Sequence, residues 1–298
     1  MPVFQPRHIL SGMLVKEAMR RQVVQLPVDA PITTGINHLL KFKVNAVLIT
    51  DSGQRPAGVV SKTDLIGAFY AQLPIDTPLG DIMIRPPLTC YPDDPIESAL
   101  DRMRHRGVHR LYVTGAEAAT MIGTLSYTDV VALLYRYCRA CPKSTSRRNA
   151  ATEPGDEGWR LRVQEVMTSS VMSFPEGAAL AQVMEGLMAY RFGAVLICSG
   201  RGAARGVISK TDLIRAYHHG IRLEAAADSI MTAPVVAWDQ GAFLWEAIQH
   251  MFLKDVQRLF VHAGDPLQII GVLSLSDAAR VRSGSCRACM PSRFMTME

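Results

Sequence analysis

The sequence predicts an α+β protein built from four copies of one strand-helix-strand-strand-helix unit. Three observations support this prediction. The chain repeats itself at a spacing of 148 residues, so that Ser61-Lys-Thr-Asp64 returns as Ser209-Lys-Thr-Asp212. Inside each half a weaker repeat of Gly, two apolar residues, Ser, two variable residues and Asp recurs. Each copy of this motif follows a short Met-ended segment by about 45 residues. Fixed periods of this kind indicate repeated structural units.

The elements of one unit follow a constant order along the chain. The Met-ended segment, here called the lead segment, reads VKEAM, LGDIM, VQEVM or ADSIM. An extended apolar piece and a turn come next, followed by an amphipathic helix, as in Ile96–Met103 with its helical spacing of apolar residues. Two β-branched runs around a Gly-containing turn predict a hairpin. The Ser-x-x-Asp part of the motif begins the final helix.

The four units group into two predicted domains. We place units 1 to 4 at about residues 10–72, 76–138, 158–220 and 224–284. One such unit is small for a core of its own, so two are expected to pair. This gives one domain at 1–138 and a second at 158–298 that includes a C-terminal Cys-containing tail. Residues 139–157 are rich in small, charged and turn-forming residues and are predicted to be a linker.

Composition limits the classes of function. The 298 residues are 48% hydrophobic, yet no run reaches the roughly 18 apolar residues of a membrane span. The N-terminus lacks the apolar region of a signal peptide, which predicts a cytoplasmic protein. The net charge of +5 suits anionic small molecules but is mild for a nucleic-acid binder. The basic run Lys143–Asn149 is interpreted as a solvated linker.

The motif Ser and Asp have a structural interpretation of their own. Ser at the N-cap with an acidic residue three positions later is close to a capping box, which stabilises a helix by about 1 kcal/mol. One isolated copy would need no further explanation. Four copies at matched positions also resemble a known family.

The Met-ended lead segment, the order of elements and the closing Gly-x-x-Ser/Thr-x-x-Asp are similar to the cystathionine β-synthase (CBS) domain. Two such units in tandem resemble a Bateman module, so the chain resembles two modules. The resemblance implies that the sheets of paired units pack face to face. It also implies clefts for AMP, ADP, ATP or S-adenosylmethionine between them.

Residue roles follow from this resemblance by position. The motif carboxylates would accept hydrogen bonds from ribose hydroxyls, and these are Asp64, Asp129, Asp212 and Asp277. The neighbouring hydroxyls would contact phosphate, and these are Ser61, Thr63, Ser126, Thr128, Ser209, Thr211, Ser274 and Ser276. Adenine would lie against the strand after the Met, near Val24, Leu88, Val171 and Val235. A helix N-terminus suits an anion, because its free amides and dipole are positive.

Basic residues differ between the copies. Units 2 and 4 carry Arg110 and Arg258 before the second strand, where the resemblance implies phosphate contacts, whereas units 1 and 3 have no charge there. His109 would add charge at low pH. We therefore expect at most one well-equipped phosphate site in each half. A surface salt bridge is the alternative for both arginines, and the sequence favours solvated side chains for Lys62 and Lys210.

The cysteines are also duplicated. Cys138 and Cys141 form one C-x-x-C pair, and Cys286 and Cys289 form another. This spacing suits a zinc or iron–sulfur site as well as a reversible disulfide. The separation of the pairs follows from the duplication itself, so the pairs can also be without a present use. The resemblance says nothing about them.

These observations predict a non-catalytic sensor of adenosine nucleotides that changes shape for a separate, unidentified partner protein. No phosphate-binding loop, nucleophile elbow or metalloprotease motif is present in the sequence. The alternative is a metal-binding or redox-responsive protein that uses the C-x-x-C pairs. Two modules in one chain could complete a disc alone or form a homodimer.

Overall fold

The computed structural model of the protein describes residues 10–115, 120–140, 160–190 and 192–281. Within these ranges, four three-stranded sheets and their helices form four units in the predicted order. In every sheet the first strand pairs parallel with the second, and the second pairs antiparallel with the third. The predicted α+β class and its hairpins are therefore confirmed.

The four units contain the same elements with similar lengths. Unit 1 consists of α1 (Val15–Ala18), β1 (Gln25–Pro27), α2 (Ile32–Lys41), β2 (Ala46–Thr50), β3 (Pro56–Ser61) and α3 (Lys62–Tyr70). Unit 2 consists of α4 (Leu79–Ile82), β4 (Thr89–Cys90), α5 (Ile96–Arg106), β5 (Arg110–Thr114), β6 (Met121–Ser126) and α6 (Tyr127–Ala140). Unit 3 consists of a 3-10 turn (Val163–Glu165), β7 (Ser173–Pro175), α7 (Leu180–Ala189), β8 (Ala194–Cys198), β9 (Ala204–Ser209) and α8 (Lys210–His218). Unit 4 consists of a 3-10 turn (Ala227–Ser229), β10 (Ala237–Asp239), α9 (Leu244–Leu253), β11 (Arg258–His262), β12 (Ile269–Ser274) and α10 (Leu275–Arg280).

The lead segments are exchanged between the two units of each half. The amide of Leu79, which leads unit 2, donates to the carbonyl of Ala30 in unit 1 at 2.8 Å. Reciprocally, the amide of Val15, which leads unit 1, donates to Asp94 in unit 2 at 2.9 Å. The second half repeats the exchange through Val163–Ala242 and Ala227–Ala178. Each unit is thus completed by a segment that belongs in sequence to its neighbour.

The Met of each lead segment lies against the Gly that opens a motif. A Cβ added to Gly58 would lie 2.5 Å from the sulfur of Met83, and one added to Gly206 would lie 2.6 Å from that of Met231. On Gly123 the added atom would lie 2.6 Å from the carbonyl oxygen of a lead segment. Only glycine therefore permits the lead segment to approach the strand so closely.

The final helices pair across the two halves. Helix α3 packs beside α8, with the rings of Phe69 and Tyr217 stacked at 4.9 Å, and α6 packs beside α10. One large hydrophobic core combines units 1 and 3, and the other combines units 2 and 4. A smaller cluster of Leu196, Ala204 and Phe260 lies between the sheets of units 3 and 4. None of the helices in the described ranges is both long and apolar enough to cross a bilayer.

Candidate functional site

Each final helix begins directly after the motif Ser, whose amide and hydroxyl both donate to one oxygen of the motif Asp. In unit 1 these donors of Ser61 lie 2.7 and 2.8 Å from Oδ2 of Asp64. The same two bonds join Ser126 to Asp129, Ser209 to Asp212 and Ser274 to Asp277. The capping interpretation accounts for Oδ2 in all four units. A ligand role for the motif therefore depends on the other oxygen, Oδ1.

The surroundings of Oδ1 differ from unit to unit. Nε of Arg20 donates to Oδ1 of Asp129 at 2.5 Å, and the hydroxyl of Thr232 donates to Oδ1 of Asp212 at 3.1 Å. Oδ1 of Asp277 lies 3.5 Å from a guanidinium nitrogen of Arg280 on the same helix. For Asp64, no side chain of the described residues other than that of Ser61 bonds to the carboxylate.

Arg20 and Thr232 occupy equivalent positions that the sequence analysis missed. Both directly follow the Met of a lead segment, and the other two copies have Ile84 and Thr168 there. The backbone of each of these four residues forms a bridge to the strand that precedes a motif helix. The signal was present in the sequence as the residue after each Met, but its role depends on the exchange of lead segments.

Two half-buried lysines bridge the halves. Nζ of Lys62 donates to the hydroxyl of Thr211 at 2.9 Å, and Nζ of Lys210 donates to that of Thr63 at 2.7 Å. Each Lys is the first residue of its helix, α3 or α8, so these two helix N-termini lie close together. The interpretation of both lysines as solvated is wrong, because their amino groups lie in the contact between units 1 and 3.

Arg110 and Arg258 extend toward the other unit of their own half. Nη1 of Arg110 donates to the carbonyl of Ala46 at 3.4 Å. The guanidinium of Arg258 packs on Gly193, where an added Cβ would lie 2.0 Å from Nη2. Among the described residues, neither arginine forms an ion pair, so the surface salt bridge is not observed for them.

His109 lies in a contact between units 2 and 4. Its Nδ1 is 3.3 Å from the hydroxyl of Ser276, and its ring meets that of Tyr127 edge-on at 5.6 Å. Burial lowers the pKa of His109, and the nearby cations Lys210 and Arg258 lower it further. The side chain is therefore neutral at neutral pH.

Lys62, Lys210, Arg110, Arg258 and His109 together form what we call the central basic cluster. Burial, with repulsion by cations that include Arg215, Arg258 and Arg110, lowers the pKa of Lys62 to about 8. Burial, with repulsion from Arg258, lowers the pKa of Lys210 to about 8. Burial also lowers the pKa of Arg258 to about 10. The centre thus holds more positive charge than its own carboxylates balance.

Asp64 and Asp212 lie within electrostatic range of this cluster, and each acts across a unit boundary. Asp64 of unit 1 raises the pKa of Lys210, and Asp212 of unit 3 raises that of Lys62. Burial raises the pKa of Asp64, against the opposing effects of its bonds from Ser61 and the charge of Lys210. Each of these carboxylates therefore faces a cation from the other half of the chain.

The predicted adenine-facing residues are all half-buried. Val24 and Leu88 pack against the two large cores, whereas Val171 and Val235 pack against the cluster between the sheets of units 3 and 4. The backbone of Val24 is fixed beside β2, because its carbonyl accepts from the amide of Leu48 at 3.0 Å. These positions can supply apolar walls beside the motif helices.

The cysteine prediction falls mostly outside the described residues. Cys138 is buried within α6, but Cys141, Cys286 and Cys289 lie outside the described ranges. Within those ranges no three side chains of His, Cys, Asp or Glu come together as a metal-binding group. A metal or disulfide role for the C-x-x-C pairs remains a sequence-based prediction.

The protein is thus a repeat protein of four units that exchange their lead segments. In each unit a motif carboxylate takes part in a helix cap, and the central basic cluster lies where the units meet. The model of the CBS domain matches residues 15–71, 79–136 and 163–219, which together exceed half of the chain. The protein belongs to the CBS domain family. Unit 4 lies outside the matched segments but has the same strand order and the same capped motif.

Two solved structures resemble most of the chain. The uncharacterized protein MJ1225 of Methanocaldococcus jannaschii is 21% identical over 203 residues, which cover 68% of this chain and 69% of the relative. Its crystal structure, described as that of a candidate archaeal homologue of γ-AMPK, matches with a TM-score of 0.74 at 16% identity and covers 90% of this chain and 99% of that one. An uncharacterized conserved protein from Pyrococcus horikoshii matches with a TM-score of 0.58 at 17% identity and covers 91% and 100%. At these identities the likeness shows the fold.

One curated relative is an enzyme. The A-adding tRNA nucleotidyltransferase of Geobacter sulfurreducens is 29% identical over 155 residues, which cover 51% of this chain but 16% of the enzyme. The match therefore concerns a small part of that enzyme.

Proposed function

We propose that the protein is a non-catalytic sensor that binds adenosine nucleotides between its units and transmits a change of shape to a partner protein. The observation that carries this proposal is the position of Asp64. Its carboxylate is capped on one oxygen only, and it faces the ammonium group of Lys210 from the other half. A sugar and a phosphate joined as in a nucleotide match this pairing of acceptor and cation.

The sugar end of the ligand would bind to the motif carboxylate. Oδ1 of Asp64 has acceptor capacity to spare and would receive one or both hydroxyls of a ribose. Hydrogen bonds to a charged group contribute about 1.5–3 kcal/mol each. The half-buried strand after the lead Met would supply the apolar surface for adenine, as the family resemblance implies.

The phosphate end would bind to the central basic cluster. The hydroxyl protons of the motif serines already bond to the motif carboxylates, so these serines have no proton left for a phosphate. We therefore assign the phosphate to the side chains of Lys62, Lys210, Arg110 and Arg258, with Thr63 and Thr211 beside them. A phosphate would also compensate the positive ends of α3 and α8.

Such a ligand would connect the two halves. A nucleotide held by Asp64 of unit 1 and Lys210 of unit 3 bonds to both halves at once, so it stabilises the arrangement in which these groups face each other. A ligand shifts a conformational equilibrium only by binding one state more tightly, and such coupling is typically about 1–3 kcal/mol. The partner protein would bind to the surface whose shape changes when the nucleotide binds.

The test compares AMP with its 2′-deoxy analogue by calorimetry. Wild-type protein is expected to bind AMP at least tenfold more tightly than dAMP, because the deoxy sugar leaves the carboxylate without one donor. Asp64→Asn keeps an acceptor for the cap but loses the charge, so it should weaken AMP and reduce the preference over dAMP. Asp76→Asn, at an exposed position between α3 and α4, is the matched control.

The result can contradict the proposal in two ways. Equal affinity of the wild type for AMP and dAMP would show that the carboxylates do not hold the sugar hydroxyls. Undiminished AMP binding in Asp64→Asn would remove Asp64 from the site. Titrations with ADP, ATP and S-adenosylmethionine would then identify which adenosine compound binds most tightly.

A further inference from the structure

The four motif carboxylates are not equivalent, and Asp129 differs most from the others. Its side chain is only 4% exposed, and its Oδ1 accepts a 2.5 Å hydrogen bond from Nε of Arg20. Its Oδ2 accepts from the amide and hydroxyl of Ser126 at 2.9 and 2.5 Å. Both carboxylate oxygens of Asp129 are therefore already bonded within the protein.

Arg20 is held in place by its backbone. Its amide donates to the carbonyl of Thr124 at 2.9 Å, and its carbonyl accepts from the amide of the same residue at 2.8 Å. Gly123, which precedes Thr124, allows this close approach, because an added Cβ would lie 2.6 Å from the carbonyl oxygen of Arg20. The side chain thus starts from a fixed point beside the helix that carries Asp129.

The other three units serve as internal comparisons. In these units the motif Asp lies near a different residue after a lead Met, namely Ile84, Thr168 or Thr232, and none of these three is charged. The hydroxyl of Thr232 also donates to a motif carboxylate, but a threonine is small and can itself accept a hydrogen bond. Among the four residues that follow a lead Met, only Arg20 places a full positive charge on the oxygen that a sugar would use, whereas Arg280, 3.5 Å from Oδ1 of Asp277, lies on the same helix as that carboxylate.

We propose that Arg20 determines which clefts bind nucleotide, by occupying the sugar-binding oxygen of Asp129 and closing that cleft to ribose. This inference rests on the proposed nucleotide binding. A ribose could reach Asp129 only by displacing a charge-assisted hydrogen bond, and a neutral hydroxyl is a weaker donor to a carboxylate than a guanidinium is. The wild-type chain therefore has at most three nucleotide sites.

The experiment counts AMP sites per chain by calorimetry in wild type, Arg20→Thr and Arg20→Ile. The threonine reproduces the pair that Thr232 forms with Asp212. The isoleucine reproduces Ile84, which occupies the equivalent position beside the unit of Asp64. Each variant is expected to gain one AMP site over the wild type. Arg21→Ile, a change of the same kind at the exposed next residue, should gain none. Combining Arg20→Thr with Asp129→Asn should abolish the gained site.

The outcomes separate this inference from the proposed function. A wild-type stoichiometry of four, or no gained site in either variant with thermal unfolding like that of the wild type, overturns the role of Arg20 alone. A gained site that survives in the double variant overturns the assignment to Asp129. Absence of AMP binding in every protein overturns the proposed function, and the inference with it.

Discussion

Lys62 and Lys210 each place an ammonium group at the N-terminal end of a helix, where the helix dipole is also positive. Burial and neighbouring arginines lower the pKa of both lysines to about 8. This arrangement is unfavourable without a bound anion, since half-buried like charges lie close together and the net shift of both pKa values stays downward despite Asp212 and Asp64. The hydroxyls of Thr63 and Thr211 each accept one hydrogen bond from an ammonium group, but they do not compensate its charge.

These shifts predict how stability without ligand depends on pH. An unfolded lysine titrates at 10.5 and the folded ones at about 8, so the unfolded chain binds more protons between these values. The contribution of Lys62 and Lys210 to the free energy of unfolding should therefore rise as pH increases from about 8 toward 10. Urea unfolding at pH 7.5, 8.5 and 9.5 measures it as the difference between wild type and the double variant Lys62→Met/Lys210→Met.

The difference is needed because other groups act in the opposite direction. Burial raises the pKa of Cys90 to about 12, which lowers stability as pH rises above the ordinary thiol value. Cys90 is present in both proteins, so its effect cancels. Lys254→Met, at an exposed lysine, should leave the pH profile of the wild type unchanged. An identical pH dependence in the double variant would contradict the lowered pKa of the two lysines.

At the residue scale, the sequence was sufficient to predict the helix cap but not the side chains that surround the motif carboxylate. Ser61 and Asp64 are three positions apart, so their bonds follow from local helix geometry. Arg20 and Asp129 are far apart in sequence and meet only because a lead segment crosses to the neighbouring unit. A pattern of repeats is the same with or without that crossing, so the contact could not be predicted.

At the scale of elements, each lead segment packs against the strand that contains a motif Gly, and this contact accounts for both the Met and the Gly of the sequence pattern. The family pattern begins with Gly because a carbonyl or a Met sulfur occupies the space of its missing side chain. This relation makes the exchanged segment part of the packing of the sheet. The sequence showed both the Met and the Gly but not that they touch.

A substitution at this contact tests the packing. Gly123→Ala should reduce the free energy of unfolding by about 1–3 kcal/mol, because its Cβ would overlap the backbone carbonyl of Arg20. Gly67→Ala, in α3 with no atom within 4 Å of the added Cβ, should instead add about 1 kcal/mol through helix propensity. Chemical denaturation of both variants gives the comparison. Equal effects of the two alanines would mean that the lead segment can move away freely.

On the scale of the whole molecule, the units that are neighbours along the chain are not the units that share a large core. The sequence indicated a division into two halves around a linker, and the exchanged lead segments agree with pairing inside each half. The two large cores, however, join unit 1 to unit 3 and unit 2 to unit 4. The apolar faces of α3 and α8 did not reveal their partner, since hydrophobic spacing shows that a face is buried but not against what.

This construction predicts that the halves unfold together. Ile66 of α3 is 1% exposed in the core shared with α8, so Ile66→Ala should destabilise the protein by about 2–5 kcal/mol. All three tryptophans, Trp159, Trp238 and Trp245, follow the predicted linker in sequence. The two described ones lie in β10 and α9 of unit 4, so their fluorescence is a probe of the second half. Because the core spans both halves, a change in the first half should move the fluorescence and circular dichroism transitions equally. Leu253→Ala, at a side chain that is 77% exposed, should move neither. A fluorescence transition that stays in place while the circular dichroism splits in two would show that the halves unfold independently.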